Sequence, residues 1–346
     1  MKRLTNTKKR GFSLIELMVA MGILSVLMLM LTVLLEQIQK SWRFSESRIS
    51  QFREARVAFD VMTKNIGQAS LNTYWDLKDE DGDGVYDGYF RTSELHFATM
   101  KAADLNVTGA QAPVGHAVFF QAPLGFSTEY RNLNNLFNGR GYFVAFGGDK
   151  RFKPSFVKTD ERFRFRLMEF RPPAESNQIF DDGQLERAEG VPQVFDQWYR
   201  QAGGVGEGSF EDHLNPLAEN IISLFVSPRD SLESVGGARG DTFSKIAPEY
   251  EFDSNTPKGV GFEAYAQQIP PLVRVTMIAI DEAAAVRYEN GQTPPAEFTS
   301  PFNNRFEDSR KYDEDIEVMS RELNDNGISH KVFSSLVMLR SSKWSI

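Results

Sequence analysis

Four aspartates in a short stretch containing glycine have the spacing of a cation-binding loop. The stretch is DEDGDGVYDGY (79–89), and the aspartates at its positions one, three, five and nine are Asp79, Asp81, Asp83 and Asp87. Gly84 stands at position six, where such a loop turns sharply. Because Ca²⁺ prefers carboxylate oxygens, this spacing predicts a calcium site.

The calcium pattern is incomplete at its end. Phe90 stands at position twelve, where an EF-hand has a bidentate acid, and the stretch resembles a thrombospondin type 3 loop more closely. Four carboxylates within nine residues repel one another unless a cation or solvent screens them. A calcium site and a solvated acidic turn therefore both remain open.

Glu16 is a carboxylate in an unusual place. In KKRGFSLIELMVAMGILSVLMLMLTVLL (8–35), three cations precede it, and nineteen uncharged residues, 17–35, follow it. About 20 apolar residues cross a bilayer as a helix, so the run predicts a membrane-embedded segment. A carboxylate in hydrocarbon costs about 2.5–3.5 kcal/mol at the centre of the bilayer, and such groups usually have a partner. Glu16 either extends to the headgroups or pairs with a cation inside the membrane.

Composition limits the partners of the chain and predicts its orientation in the membrane. The chain has 346 residues, no cysteine and a net charge of −8, although residues 1–11 carry five cations and no acid. The body after this basic start is therefore still more acidic, which argues against nucleic acid as a partner. The basic start also predicts that residues 1–11 stay in the cytoplasm and that the rest is exported, as a single-pass protein.

The stretch GFSLIELMVAMGILSVL resembles the N-terminus of type IV prepilins and type II secretion pseudopilins. The resemblance implies cleavage after Gly11 by a prepilin peptidase, removal of a leader at 1–11, and N-methylation of Phe12. Glu16 would then pair with the Phe12 ammonium of a neighbouring subunit during filament assembly. The implied location is the bacterial inner membrane, with the head in the periplasm or on the filament surface. The implied partners are other pilins or pseudopilins, the prepilin peptidase and the inner-membrane assembly platform.

The rest of the chain predicts a pilin-like α+β fold. A membrane helix (12–35) continues over 36–70 and packs on the antiparallel β-sheet of an exported head, residues 71–346, which has long inserted loops. The helix carries a stripe that includes Ile38, Trp42, Phe59 and Met62. The head has β-branched and aromatic runs that predict strands. These runs are 117–123, 141–148, 220–227, 271–281 and 331–339.

Other segments of the head carry further expectations. RFRFRLMEF (162–170) alternates, which predicts a strand whose arginines lie on a solvated face or form a docking stripe for an acidic neighbour. DEDIEVMSRELNDNG (313–327) predicts a short amphipathic helix that ends at Gly327. Stretches 202–209, 227–245 and 290–304 predict loops.

Segments in the later part of the chain resemble particular groups of prepilin-like proteins. LAENIISLFVSPRD, IPPLVRVTMIAIDE and KVFSSLVMLRSS resemble the minor pseudopilin J of type II secretion systems, while FRLMEFRPPAE resembles the Verru_Chthon cassette protein C group. Enzymatic motifs such as GxSxG, GxxxxGK[ST] and HExxH do not occur. Two functions of different class follow. One is a structural subunit of a secretion or pilus filament, and the other is a filament-borne module that binds a substrate or surface through inserted loops.

Overall fold

The computed structural model describes residues 13–79, 82–105, 112–130, 134–154, 156–177, 198–199, 210–230, 246–255, 266–289 and 291–342. The chain divides into an N-terminal unit, residues 1–51, and a head unit, residues 52–346. The predicted leader at 1–11 and the predicted loop at 202–209 lie outside the described residues. The predicted boundaries of membrane helix, continuation and head stay predictions.

The elements follow one another in the order of one long helix, a run of strands, a helical insertion and a last strand. The helices are α1 (Leu14–Ile66), α2 (Glu282–Val286), α3 (Ala296–Thr299) and α4 (Tyr312–Asp325). The strands are β1 (Tyr74–Lys78), β2 (Gly88–Thr92), β3 (Phe97–Lys101), β4 (Ala112–Phe126), β5 (Asn134–Gly148), β6 (Phe163–Phe170), β7 (Leu214–Glu219), β8 (Ile221–Arg229), β9 (Phe252–Asp253), β10 (Leu272–Ile280) and β11 (His330–Met338).

Every strand pair in the described residues is antiparallel. The strands form a six-stranded sheet of order β7-β6-β5-β4-β3-β9, a three-stranded sheet of order β11-β10-β8, and the hairpin β1-β2. The five predicted strands coincide with β4, β5, β8, β10 and β11. The α+β class and the helix packed on a sheet-rich head are therefore confirmed.

The head unit buries the last turns of α1. Phe59, Met62 and Ile66 lie in the larger hydrophobic cluster with residues from one face of the six-stranded sheet and from the three-stranded sheet. A smaller cluster covers the other face of the six-stranded sheet and includes Phe119 and Phe170. The predicted stripe is thus core over this part of α1, whereas Ile38 and Trp42, in the N-terminal unit, are exposed.

The helical insertion completes the core of the head unit. Helix α4 turns Met319 and Leu323 inward, and Gly327, just after its end, has a φ of +67° that favours glycine. The prediction of an amphipathic helix here is confirmed. The loop prediction for 290–304 is wrong in part, because this stretch contains α3, whose Phe298 is buried against Phe165. The loop prediction for 227–245 also begins too early, because β8 continues to Arg229.

Candidate functional site: the membrane helix and the surface of the head unit

Helix α1 begins with two reciprocal hydrogen bonds, each from a backbone N–H to a side chain. The Ser13 backbone N–H donates to Glu16 Oε2 at 3.0 Å, and the Glu16 backbone N–H donates to Ser13 Oγ at 3.3 Å. This reciprocal arrangement is a capping box, which satisfies two of the N–H groups that a helix start leaves unbonded. The S-x-x-E spacing is a signal for this cap that can be read from the sequence.

The residues after the cap suit a bilayer. Leu14–Gln39 is long and apolar enough to cross a membrane, and its side chains are exposed. Two hydroxyls inside the span donate back to the helix, Ser25 Oγ to Met21 O and Thr32 Oγ1 to Met28 O, each at 2.9 Å. Hydrocarbon offers no other hydrogen-bond partner, so this internal bonding fits membrane immersion.

The predicted processing residues, Gly11 and Phe12, lie outside the described residues. Their roles and the assembly role of Glu16 remain predictions. Glu16 is described, and the cap places its carboxylate at the start of the helix. The capping partner, Ser13, would become the second residue of the processed chain.

The aspartate loop lies between β1 and β2 and is closed by its own backbone. Asp79 accepts hydrogen bonds from the N–H groups of Gly82 at 2.7 Å and Gly84 at 2.9 Å, and Asp83 accepts one from Val85 at 2.7 Å. Gly82 and Gly84 have φ of +73° and +83°, the left-handed backbone that favours glycine.

The loop does not assemble a ligand set in the part of the chain that the structure describes. No group of three His, Asp or Glu side chains there is placed to hold a metal ion. Asp81, the central predicted ligand, lies outside the described residues, while Asp83 and Asp87 are exposed. The calcium site therefore remains a prediction.

The same hairpin presents an aromatic face that sequence reasoning missed. Trp75 lies opposite Arg91 and Leu77 lies opposite Tyr89, so these four side chains share one face. Trp75 is 65% exposed and Tyr89 is 72% exposed. The Arg91 guanidinium lies 5.5 Å from the centre of the Trp75 ring, a cation–π contact. Alternation of Trp75 with Leu77 and of Tyr89 with Arg91 is the signal that could have revealed this face.

The prediction of a solvated or docking face on β6 is wrong for its two arginines. Arg164 and Arg166 are 4% and 1% exposed, so they lie neither on a solvated face nor on a docking stripe. Arg162, just before β6, is exposed, as the prediction of a solvated face has it. Arg164 Nη1 donates to Glu282 Oε2 at 2.7 Å and Nη2 donates to Glu289 Oε2 at 2.8 Å. Burial alone would lower the pKa of the Arg164 guanidinium, but these hydrogen bonds raise it above its ordinary value. The two arginines are structural ion-pair residues.

A second buried network fixes the end of α1 within the head unit. Asn65 Nδ2 donates to Tyr142 Oη at 2.7 Å, and Tyr142 Oη donates to Glu169 Oε1 at 2.8 Å. Arg140 Nη1 donates to the same Glu169 oxygen at 3.3 Å. Burial and the nearby Glu169 charge raise the pKa of Tyr142, so its hydroxyl stays protonated and available as a donor.

Residues 6–32 match the family model described as the prokaryotic N-terminal methylation motif. The match covers the segment that carries the capping box and most of the apolar run, and it supports a prepilin-type protein. Neither a curated protein nor a solved structure matches the chain. The motif supports a pilin-like, prepilin-type chain, and the apolar helix near the N-terminus is compatible with a single-pass membrane anchor.

Proposed function

We propose that the chain is a minor pilin or pseudopilin that enters a type IV pilus-like filament after prepilin peptidase cleavage. The observation that carries the proposal is the methylation motif at 6–32 on an exposed helix without charge from residue 17 to residue 35. The resemblance of β8, β10 and β11 to pseudopilin J favours a type II secretion pseudopilus within this class.

Glu16 is the assembly residue in this proposal. Cleavage after Gly11 would create an ammonium at Phe12, one residue before the capping serine. In hydrocarbon, the free-energy cost of burying an ammonium of one subunit and the Glu16 carboxylate of another is lower when the two groups form a pair than when each is buried alone. The filament would therefore draw in subunits partly because assembly neutralises both groups. The partners would be other pilins or pseudopilins, the prepilin peptidase and the inner-membrane assembly platform, with the head unit in the periplasm or on the filament.

A filament-borne binding module is the second candidate, and the hairpin face of Trp75, Leu77, Tyr89 and Arg91 favours it. Exposed aromatic patches mark interaction surfaces more often than lone exposed residues do. The insertion at 283–328 is a poor candidate for the binding surface, because Phe298, Phe306, Met319 and Leu323 within it are buried. Deleting this insertion would open the core, so it could not separate binding from folding.

Calcium binding by the aspartate loop is a further proposal. Asp79 and Asp83 already face loop N–H groups, and an ion would compete with these bonds for the same oxygens. It would also relieve repulsion between the acidic side chains. Asp81 and Asp87 would supply the other carboxylates of the site.

Processing tests the main proposal. Co-expression of the full chain with a prepilin peptidase should yield a mature chain that begins at Phe12 with one added methyl group, as measured by mass spectrometry of the N-terminal peptide. Gly11→Ala should leave the leader attached in most of the population. A mature N-terminus at another residue, or an uncleaved chain that still enters filaments, would contradict the proposal.

Substitution on the hairpin separates the two candidates. Trp75→Ala with Tyr89→Ala should leave filament entry unchanged if the chain is only a structural subunit, because these side chains are outside both hydrophobic clusters. If the module candidate is right, filaments that contain the variant should form normally and lose surface or substrate binding. Met62→Ala, a core substitution, is the control for general loss of folding.

A further inference from the structure

One face of the three-stranded sheet brings two arginines together on neighbouring strands. In the antiparallel ladder of β8 with β10, Arg274 lies directly opposite Ser227, and Leu272 lies directly opposite Arg229. Residues that lie opposite each other, or two apart along one strand, point their side chains to the same face of a sheet. Arg229, Ser227 and Arg274 therefore share one face, where diagonal neighbours are within reach of long side chains.

Tyr312, the first residue of α4, forms a wall beside this pair of arginines. The Arg274 guanidinium lies 4.7 Å from the centre of the Tyr312 ring, a cation–π contact. The Tyr312 hydroxyl lies 2.6 Å from Thr276 Oγ1, a hydrogen bond that fixes the ring on the sheet. Arg274 is only partly buried, so this group of side chains is open to solvent on one side.

Three polar atoms here have no hydrogen-bond partner in the described part of the chain. They are Ser227 Oγ, Arg274 Nη1 and Tyr250 Oη, whose phenol also interacts electrostatically with Arg229. Ser227 is 2% exposed and Tyr250 is 1% exposed, so bulk solvent does not supply the missing partners. Burial raises the pKa of Tyr250, so its hydroxyl stays protonated. Buried donors of this kind cost free energy unless something accepts their hydrogen bonds.

The two guanidiniums also repel each other. Burial and, after it, the charge of Arg274 lower the pKa of Arg229 to about 10, while Asp313 on the first turn of α4 opposes this with a smaller effect. Two positive charges are thus held close together in a chain whose net charge is −8. An anion bound between the guanidiniums would replace this repulsion by attraction.

We propose that Arg229, Ser227, Arg274 and Tyr250 form a binding site for a phosphate group, as the free ion or as part of a small phosphate monoester. The donors fit phosphate better than a carboxylate, because two guanidinium forks and two hydroxyls offer more hydrogen bonds than the two oxygens of a carboxylate accept. A phosphate monoester carries a charge of about −1.5 to −2 at pH 7, which matches two arginines. The site uses no residue of α1 or of the β1-β2 hairpin.

Isothermal titration calorimetry of the full chain in a non-ionic detergent measures this binding. Inorganic phosphate should give a saturable heat, whereas sodium chloride at the same ionic strength should not, because charge screening requires no defined site. Glycerol phosphate is the second ligand. If it also binds, the site accepts a phosphate group carried by a larger molecule, and if it is excluded, the site is one for the free ion.

Substitutions distinguish this site from a general attraction of anions. Arg274→Gln should weaken phosphate binding at least about tenfold, because it removes one of the two charges. Ser227→Ala should weaken binding about tenfold, yet leave the melting temperature without phosphate unchanged or slightly raised, because it removes a buried hydroxyl that has no partner. Arg321→Gln is the matched control, since Arg321 is an exposed arginine of α4 paired with Glu317, and its phosphate affinity should equal that of the wild type.

Three results would overturn the proposal. A wild-type chain that gives no saturable heat with millimolar phosphate would show that the buried hydroxyls have no anionic partner. Equal phosphate affinity of the wild type and Ser227→Ala would show that phosphate binds elsewhere, and this comparison decides the question even if Arg274→Gln does not fold. Equal losses of affinity in Arg321→Gln and Arg274→Gln would indicate non-specific attraction. None of these results depends on cleavage at Gly11 or on filament assembly.

Discussion

Ser13 and Glu16 hold each other at the first turn of α1, each accepting a hydrogen bond from the backbone N–H of the other. In the single chain the Glu16 carboxylate is therefore a helix cap. In a filament the same carboxylate is proposed to meet an ammonium of another subunit. The two roles require different properties, since a cap requires only an acceptor and the pair requires a negative charge.

Glu16→Gln separates these roles because glutamine keeps an acceptor for the cap and loses the charge. Both Glu16→Gln and Glu16→Ala should lower co-purification with partner pilins at least about tenfold, since the neighbouring ammonium is left without a counter-ion in low dielectric. Membrane insertion should be intact in both. The measurement is the amount of partner recovered with the tagged chain from solubilised membranes.

Ser13→Ala is the matched control for Glu16. It removes one half of the cap at a cost of about 1 kcal/mol in helix stability and keeps the charge, so assembly should be near normal. If Ser13→Ala is as defective as Glu16→Ala while Glu16→Gln assembles normally, Glu16 acts as a cap and the charge-pair proposal is wrong.

Arg164 should be far more important for stability than a surface cation. It forms ion pairs with Glu219, Glu282 and Glu289, so Arg164→Met would leave Glu282 and Glu289 without this counter-charge, while Glu219 would keep its ion pair with Arg166. We expect a loss of about 3–5 kcal/mol in the free energy of unfolding. Arg56→Met should cost less than about 1 kcal/mol, because the bridge from Arg56 to Asp60 is exposed and 4.0 Å long. Chemical denaturation of both variants provides the comparison, and equal losses would contradict it.

The burial of Arg164 and Arg166 shows where prediction from sequence reached its limit. Alternation in β6 predicted a strand and two faces correctly, but alternation cannot tell whether a second layer covers the polar face. The covering carboxylates, Glu282 and Glu289, are 118 and 125 residues away from Arg164 in sequence. The predicted solvated face became an internal ion-pair network because of contacts that no local pattern contains.

Local patterns were sufficient where structure depends on near neighbours. The amphipathic period of α4 and the β-branched runs of β8, β10 and β11 predicted their elements, because burial of one face determines these elements. The capping box was also readable from Ser13 and Glu16. The aromatic face of the β1-β2 hairpin was harder to predict from the sequence, since its exposure depends on what the rest of the chain leaves uncovered. The rest of the stretch predicted as a loop, residues 231–245, lies outside the described residues.

The calcium proposal predicts a melting temperature that depends on the ion. If the loop binds Ca²⁺, the chain gains RT ln(1 + [Ca²⁺]/Kd), about 2.7 kcal/mol at a hundredfold excess over Kd. Asp81→Ala should remove most of this gain and leave the melting temperature in EDTA nearly unchanged. Asp83→Ala should do the same, apart from the loss of its bond to the Val85 N–H. Magnesium should substitute poorly, because it keeps its waters in a tight octahedron.

Differential scanning calorimetry in EDTA and in millimolar calcium measures this dependence. Asp76→Ala, on the adjoining strand, is the control for general loss of acidic charge, and it should keep the calcium increment. A wild-type melting temperature that is the same in both buffers would identify the stretch as a solvated acidic turn.

His116 makes the free energy of unfolding of the head unit depend on pH, and its burial determines the sign of this dependence. The ring is buried between Phe225 and Tyr250, with centroids at 5.2 and 4.9 Å. Its Nδ1 accepts from the Val226 N–H at 3.4 Å, which leaves Nε2–H to donate to Phe306 O at 3.2 Å. A second proton on Nδ1 would point at the Val226 donor. Burial chiefly lowers the pKa of His116, from 6.5 to about 4.

Acidification from pH 6.5 toward pH 4 should therefore destabilise the head unit through His116. The unfolded chain takes up a proton in this window that the folded ring does not, so this residue's share of the free energy of unfolding falls by about 1.4 kcal/mol per pH unit. Carboxylates titrate in the same range, so the test is the difference between wild type and His116→Gln, measured by denaturation at several pH values. The wild-type curve should fall more steeply with acid than the curve of the variant. Parallel curves would mean that His116 accepts its proton as readily in the folded chain as in the unfolded one.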